Sequence, residues 1–218
     1  AVAGADWIQE SVPERREVKR KVYAEIEPHL GHTAILASST SGFLPSDLQM
    51  ESTRPEQIIV AHPFNPVYLI PLVEIVGSDR TPEAVKSRAA DVLRSIGMHP
   101  LILKREIAGF IGNRLQEAIW RETLWMIKDG VATTQEIDEA IVYGFGLRLA
   151  QMGQFETFRL GGGEAGMRHF LAQFGPSLKE PLPHLMDVPE LDAKLIDAIA
   201  EQSDRQSGDL TIQNLEKA

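Results

Sequence analysis

Cysteine is absent from the 218 residues. That excludes a disulfide framework, a thiolate nucleophile and Cys-ligated zinc, and no metal is expected. Positive charge is in deficit, with 22 Lys and Arg against 31 Asp and Glu, for a net charge of −9. A nucleic-acid or anionic-membrane partner would favour a basic face, so neither is expected, while a cationic small molecule is compatible. No apolar run is long enough to cross a bilayer and none reads as a signal peptide, so a cytoplasmic enzyme is the expectation. Also missing is the Gly-x-Gly-x-x-Gly turn that binds a dinucleotide pyrophosphate. The glycines of Gly161-Gly-Gly-Glu-Ala-Gly166 follow no strand and read as a loop and helix entry.

What is present is an ordinary globular composition, 43% hydrophobic and 24% charged, enough for one large domain or two small ones. Strands are expected over 6–12, 34–38, 58–62, 72–76 and 100–104, from short β-branched or apolar runs bounded by Gly and Pro. Helices are expected between them. The first has Pro13 in its opening turn and runs to about His29, with Val18, Val22, Tyr23 and Ile26 as its apolar stripe. A short helical turn is expected at 45–49. Another helix has Thr81 as hydroxyl cap and Pro82 at the first position, and Gly97 stops it. Residues 1 to 105 thus read as the second half of a doubly wound α/β domain.

From 106 to 218 the pattern is helical only. A long helix from about Ala108 to Asp129 is apolar over so much of its circumference that burial against a partner subunit, and hence a homodimer, is expected. Thr133-x-x-Glu136 is a capping-box signature for a helix over 135–143, which Gly144 breaks. Further helices are expected over 164–174 and 190–206, joined by a Pro-rich loop at 175–183 and followed by a frayed end.

The organising stretch is Ile58 to Gly77. A buried strand stops at His62; Pro63, Pro66 and Pro71 then restrict the connection, and the next strand carries Glu74 amid apolar neighbours. A carboxylate there is costly without a partner. A strand running back would bring Glu74 beneath the His62 imidazole at the mouth of one parallel sheet, giving a base and its orienter. The alternatives are a surface or core histidine and a glutamate facing solvent or capping a helix. Ser41 ends the turn Ser38-Ser-Thr-Ser41 after another strand, where open α/β sheets bind ligands, though such turns are usually only turns. Asn113, between Gly109 and Gly112 and the long helix, is either a ligand contact or a cap. Together Ser, His, Glu and Asn can hold a hydroxyl, remove its proton and stabilise the resulting oxygen.

Strand-Ser-Ser-Thr-Ser, His62-Pro-Phe-Asn65-Pro, Leu72-Val-Glu-Ile-Val76 and Gly109-Phe-Ile-Gly-Asn-Arg-Leu115, in this order and spacing, resemble the L-3-hydroxyacyl-CoA dehydrogenase superfamily. The resemblance spans essentially the whole chain. It implies a Rossmann-type NAD-binding domain followed by a helical domain, with His62, Glu74, Ser41 and Asn113 catalytic. It further implies that Glu14 and Lys19, which without the resemblance read as a charged helix face with salt bridges, match positions contacting the dinucleotide, with Ser41 and Asn65 beside the cofactor. In that superfamily the pyrophosphate-binding turn precedes the point corresponding to Ala1, so a preceding segment is expected.

The stretch from Tyr143 to Arg159, continued in Glu164-Ala-Gly-Met-Arg-His-Phe-Leu171, is most similar to the carnitine-oxidising branch. The acyl-CoA branch has Pro-Met-Gly-Pro there, and L-gulonate dehydrogenases are the next most similar. A carnitine site must hold a quaternary ammonium on aromatic faces, which nominates Tyr143 and Phe145 from a set including Phe155 and Phe158, against ordinary aromatic core. Arg148 is the candidate for the substrate carboxylate. The alternatives are an acyl-CoA or gulonate-type 3-hydroxy acid, or a catalytically silent piece lacking the phosphate cradle.

Overall fold

The computed structural model describes residues 2–176 and 192–198. The chain divides into two compact units, Ala1–Leu115 and Gln116–Ala218.

The first unit is a five-stranded sheet in the order β1 (Trp7–Glu10), β2 (Ile35–Ser38), β3 (Ile58–Pro63), β4 (Leu72–Val76), β5 (His99–Ile102). β1, β2 and β3 are parallel, β4 is antiparallel to β3, and β5 is parallel to β4. The sheet is therefore mixed: β4 runs back against β3, as expected of the strand that carries Glu74, so the pair does not stand at the mouth of one wholly parallel sheet. The reason is the link from Pro63 to Leu72, shorter than the roughly dozen residues that a parallel crossover needs.

Alternation along the strands fills two cores. Ile35, Ala37, Ile59, Ala61, Val73 and Ile75 pack with Ala89, Ala90 and Leu93 of α3 (Glu83–Ser95) on one face. On the other face Leu36, Ile58, Val60 and Val76 meet Tyr23 of α1 (Arg16–Ile26), Leu48 of α2 (Pro45–Leu48) and Phe110. With both faces covered, all four residues of β2 are buried, as a continuous apolar run requires.

Three expected helix starts are corrected. The long helix expected from about Ala108 begins at Gly112, because Gly109 and Phe110 lie in the left-handed region at φ +73° and +51°. α1 begins at Arg16 with Arg15 as its N-cap, leaving Pro13 outside. Glu10 takes the Val12 N–H with its carboxylate, and the Arg15 N–H then closes a tight turn onto the Pro13 carbonyl before the helix begins. At α3 the N-cap is Pro82, with no side-chain cap. The Thr81 hydroxyl instead accepts from Ser78 N–H and the Gln49 amide. Gly97 does stop α3, at φ +85°.

α4 (Gly112–Lys128) runs out of the first unit. In the second, Thr133 and Glu136 form the reciprocal capping box of α5 (Thr134–Ala140). A π-turn over Ile141–Phe145 follows, with Gly144 outside helical geometry. Next comes α6 (Gly146–Gly161), a helix the sequence did not announce, because Gly146, Gly153 and Gly161 dilute its pattern and Gly153 kinks it at φ +69°. α7 (Gly166–Phe174) stacks Phe170 on Phe158 at 4.5 Å between centroids. The expected loop at 175–183, helix at 190–206 and frayed end lie largely outside the described residues, within which 193–198 are helical. No helix among the described residues is long and apolar enough to cross a membrane.

Candidate active site

The antiparallel register pairs His62 directly with Glu74, as it pairs Val60 with Val76. Direct partners across a pair share a face, so the imidazole and carboxylate meet on the Phe110 side. The His62 Nδ1 lies 3.0 Å from Glu74 Oε2, and both side chains are buried. The other carboxylate oxygen, Oε1, accepts from the backbone N–H of Ile111 at 2.8 Å and of Gly112 at 2.9 Å. These amides open α4, where unpaired N–H groups point at an anion by default. Three donors thus surround one buried carboxylate, which is what burying it requires.

Donor bookkeeping then orients the imidazole. As a carboxylate Glu74 can only accept, so Nδ1 carries the hydrogen that faces it, and in the neutral imidazole Nε2 holds the lone pair. Phe64 lies edge-on to the imidazole at 5.3 Å between centroids, and Phe110 lies tilted at 5.4 Å. Phe64 also presses on Gly112, where a Cβ would lie 2.1 Å from its Cζ. Only glycine allows that approach, so the ring beside the imidazole and the amides beneath the carboxylate are packed as one block.

Asn113, the next residue of α4, donates from Nδ2 to the Ser41 carbonyl at 3.2 Å. The N–H groups of Ser41 and Gly42 donate to Glu14 Oε1, each at 3.2 Å, and the Thr40 hydroxyl bonds the same oxygen. Partial burial would push the Glu14 carboxyl up, but the Thr40 hydroxyl, the Lys19 ammonium and the Gly42 N–H outweigh it and hold it below its ordinary value. The peptide at Ser41 is gripped on both sides, while no described residue bonds its exposed hydroxyl. His62, Glu74, the start of α4, Asn113, Ser41 and Glu14 therefore form one continuous hydrogen-bonded chain.

Lys19 stands elsewhere than a surface contact would. Its side chain is 1% exposed, with Nζ 2.9 Å from Glu10 Oε1 and 3.3 Å from Glu14 Oε2. Glu10 was not anticipated as important. It ends β1, is buried, and also accepts from Tyr23 Oη and Ser38 Oγ, each at 2.7 Å. Burial pushes the Tyr23 phenol far above its ordinary value; the Ser38 hydrogen bond opposes this and the Glu10 carboxylate adds to it, so the phenol remains a donor. The signal for Lys19 was available, since it lies four residues before Tyr23 and thus on the helix face that packs inward. Asn65 is exposed just past β3. Tyr143, Phe145 and Arg148 belong to the second unit, all exposed, on the π-turn and the first turn of α6. Phe158 is committed to its stack on Phe170.

Residues 1–107 match the model of the 3-hydroxyacyl-CoA dehydrogenase NAD binding domain, and residues 109–201 match the C-terminal domain of the same family. The L-carnitine dehydrogenase/betainyl-CoA thioesterase of Agrobacterium fabrum is 62% identical over 217 residues, which is 100% of this chain and 44% of that protein. The L-carnitine dehydrogenase of Oceanobacillus iheyensis is 51% identical over 100% of this chain and 70% of its own length. Across the first three curated relatives the chain spans 44%, 60% and 45% of their length, about half. A crystal structure of 5-formyl-3-hydroxy-2-methylpyridine 4-carboxylic acid 5-dehydrogenase, an NAD+ dependent dismutase, superposes with a TM-score of 0.78 at 26% identity, over 98% of this chain and 65% of the other. The chain belongs to the 3-hydroxyacyl-CoA dehydrogenase family.

Proposed function

We propose that this chain carries the proton-transfer machinery of an NAD-dependent dehydrogenase that oxidises the 3-hydroxyl of L-carnitine to 3-dehydrocarnitine. The observation that carries the reading is the buried His62–Glu74 pair, oriented so that Nε2 is the nitrogen available to a substrate hydroxyl. His62 takes the hydroxyl proton, and Glu74 holds the tautomer and stabilises the imidazolium. Ser41 and Asn113 hydrogen-bond the substrate oxygen. NAD, when bound, supplies the acceptor for the hydride that leaves the same carbon.

The residues present fit the nicotinamide end of such a cofactor. The half-exposed Glu14 carboxylate, the free Ser41 hydroxyl and Asn65 lie just beyond the carboxyl ends of β1, β2 and β3, where open α/β sheets take ligands. Lys19 serves this end through Glu14. For the substrate, Tyr143 and Phe145 present exposed ring faces suited to a quaternary ammonium, which no hydrogen bond can hold, and Arg148 suits the carboxylate. The names of the relatives at 51–62% identity favour carnitine over an acyl-CoA or gulonate-type acid.

A homodimer is part of the proposal. Ile119 (41% exposed), Trp120 (56%) and Met126 (36%) of α4 leave an apolar face that a second copy would cover. Sedimentation should give twice the chain mass, and Trp120→Glu should give monomers. The decisive assay follows NADH formation by the full-length protein with L-carnitine beside 3-hydroxybutyryl-CoA and L-gulonate. Turnover is expected with carnitine. Turnover with either rival and none with carnitine overturns the substrate, and NADH formation with no 3-hydroxy acid overturns the reaction.

A further inference from the structure

The buried cluster behind Ser41 has a design that a purely structural ion pair does not need. Glu10 is already satisfied by neutral donors: the Val12 N–H at 2.7 Å, the Tyr23 hydroxyl at 2.7 Å and the Ser38 hydroxyl at 2.7 Å. Adding Lys19 brings in a second charge, 1% exposed, at considerable desolvation cost. A buried pair can often be replaced by apolar side chains without loss. What an apolar replacement could not do is reach Glu14. Lys19 Nζ lies 3.3 Å from Glu14 Oε2, while Glu14 Oε1 receives the N–H groups of Ser41 and Gly42 and the Thr40 hydroxyl. Lys19 also donates to the Val12 carbonyl at 3.4 Å, tying the link between β1 and α1 to the same point. Without the ammonium, Glu10 and Glu14 would be two carboxylates facing each other across an empty centre.

We infer that Glu10 and Lys19 are positioning residues for the proposed alcohol oxidation: they clamp Glu14, and Glu14 clamps the Thr40–Gly42 backbone that presents the Ser41 hydroxyl. The inference rests on the proposed dehydrogenase reading for its kinetic consequence, but not for its structural one. The clamp meets the second grip on that peptide, from Asn113 to the Ser41 carbonyl, so the turn is held from the α1 side and from the α4 side at once. Misplacing a substrate-positioning hydroxyl by about an ångström can cost on the order of 100-fold in rate. That is the scale on which a buried residue with no substrate contact can govern turnover.

The test compares, in the full-length protein, Lys19→Met, the charge-free double variant Glu10→Gln/Lys19→Met, and Glu14→Gln, which leaves the buried pair intact. Three measurements are made on each: thermal melting, kcat with saturating NAD and L-carnitine across pH, and hydrogen exchange of the peptide covering Ser39–Phe43 without ligands. Lys19→Met is expected to lower both stability and kcat. In the double variant no buried charge is left unpaired, so thermal stability returns toward wild type. Its kcat should nevertheless stay about 10- to 100-fold low. Its exchange at Ser41 and Gly42 should stay fast, and its acid limb should move to higher pH because Glu14 has lost its cation. Glu14→Gln should reproduce the fast exchange without touching the core.

Recovery of both kcat and slow exchange with stability in the double variant would mean a merely structural pair and overturn the inference. Unchanged exchange in Glu14→Gln would overturn it as well, whether or not the other variants fold. If wild type reduces no NAD with any 3-hydroxy acid while exchange responds as expected, the functional reading falls and the clamp stands.

Discussion

Replacing Glu74 by Gln tests the site at the point where donors and acceptors are most tightly constrained. The carboxylate accepts three hydrogen bonds, from His62 Nδ1 on Oε2 and from the Ile111 and Gly112 amides on Oε1. Gln is nearly the same shape but offers one acceptor oxygen and one donor NH2. If its oxygen takes the two amides, its NH2 points at Nδ1. The imidazole must then turn Nδ1 into the acceptor and place its hydrogen on Nε2, the nitrogen proposed to receive the substrate proton. If the amide is flipped, the NH2 faces two N–H donors and the start of α4 loses its anchor. Either way the fold loses charge-assisted bonds worth about 1.5–3 kcal/mol each, in a site whose 0% exposure admits little water as substitute. The first arrangement is the less costly, so the variant should remain folded, with a lowered melting temperature and kcat down by about 100- to 10,000-fold, the range for losing a positioned base. NADH formation with L-carnitine and circular-dichroism melting read the two effects separately. A variant that melts lower yet keeps kcat within about threefold of wild type would refute the tautomer reasoning, because the base would then be working without its orienter.

Three further outcomes follow from the same geometry. His62→Ala should leave the fold intact and reduce turnover by about 100-fold or more, measured by the same assay beside a thermal melt. Gly112→Ala sets a Cβ against Phe64, 2.1 Å from its Cζ, and should cost about 1–3 kcal/mol in a denaturant titration while displacing the amides that hold Glu74. For Glu14 the folded carboxyl lies below its ordinary value of 4.5, so its contribution to stability is present above that value and is lost as pH falls through the lower, folded one. Glu14→Gln should therefore melt below wild type at neutral pH, and the gap should close on acidification. A gap that widens toward low pH would reverse the sign and refute the assignment.

The His62–Glu74 pair was legible because three independent constraints point the same way. A β-branched run ends at His62, prolines forbid a helix after it, and the second run is too close to return as a parallel neighbour. Period-two alternation then puts the even-numbered residues of β3 and β4 on one face. A carboxylate buried amid apolar neighbours is thereby placed opposite an imidazole able to donate a hydrogen bond to it. What the pattern could not supply is the third party. The Ile111 and Gly112 amides that hold Glu74 carry no side-chain signature, and they come from the far side of the α3 and β5 insertion. α6 was hidden for a related reason, since glycines at Gly146, Gly153 and Gly161 depress helix propensity where tertiary packing against α7 supplies the stability.

The cluster around Glu10 was concealed by composition. Along Arg15-Arg16-Glu17-Val18-Lys19-Arg20-Lys21 every charge looks like part of a solvated face, and only helical phase distinguishes Lys19, one turn before Tyr23, from its neighbours. Its ammonium contacts carboxylates on two different segments, Glu10 at the end of β1 and Glu14 in the link to α1. Neither spacing would single out the other, because the three residues converge only after β1 has docked on β2 and α1 has crossed back over the sheet. The energetic consequence runs in the same direction. A cation buried between two carboxylates is tolerable only when all three are held to hydrogen-bonding distance. A sheet edge carrying this cluster therefore resists small movements of the turn beside it, and that turn is the one that carries Ser41.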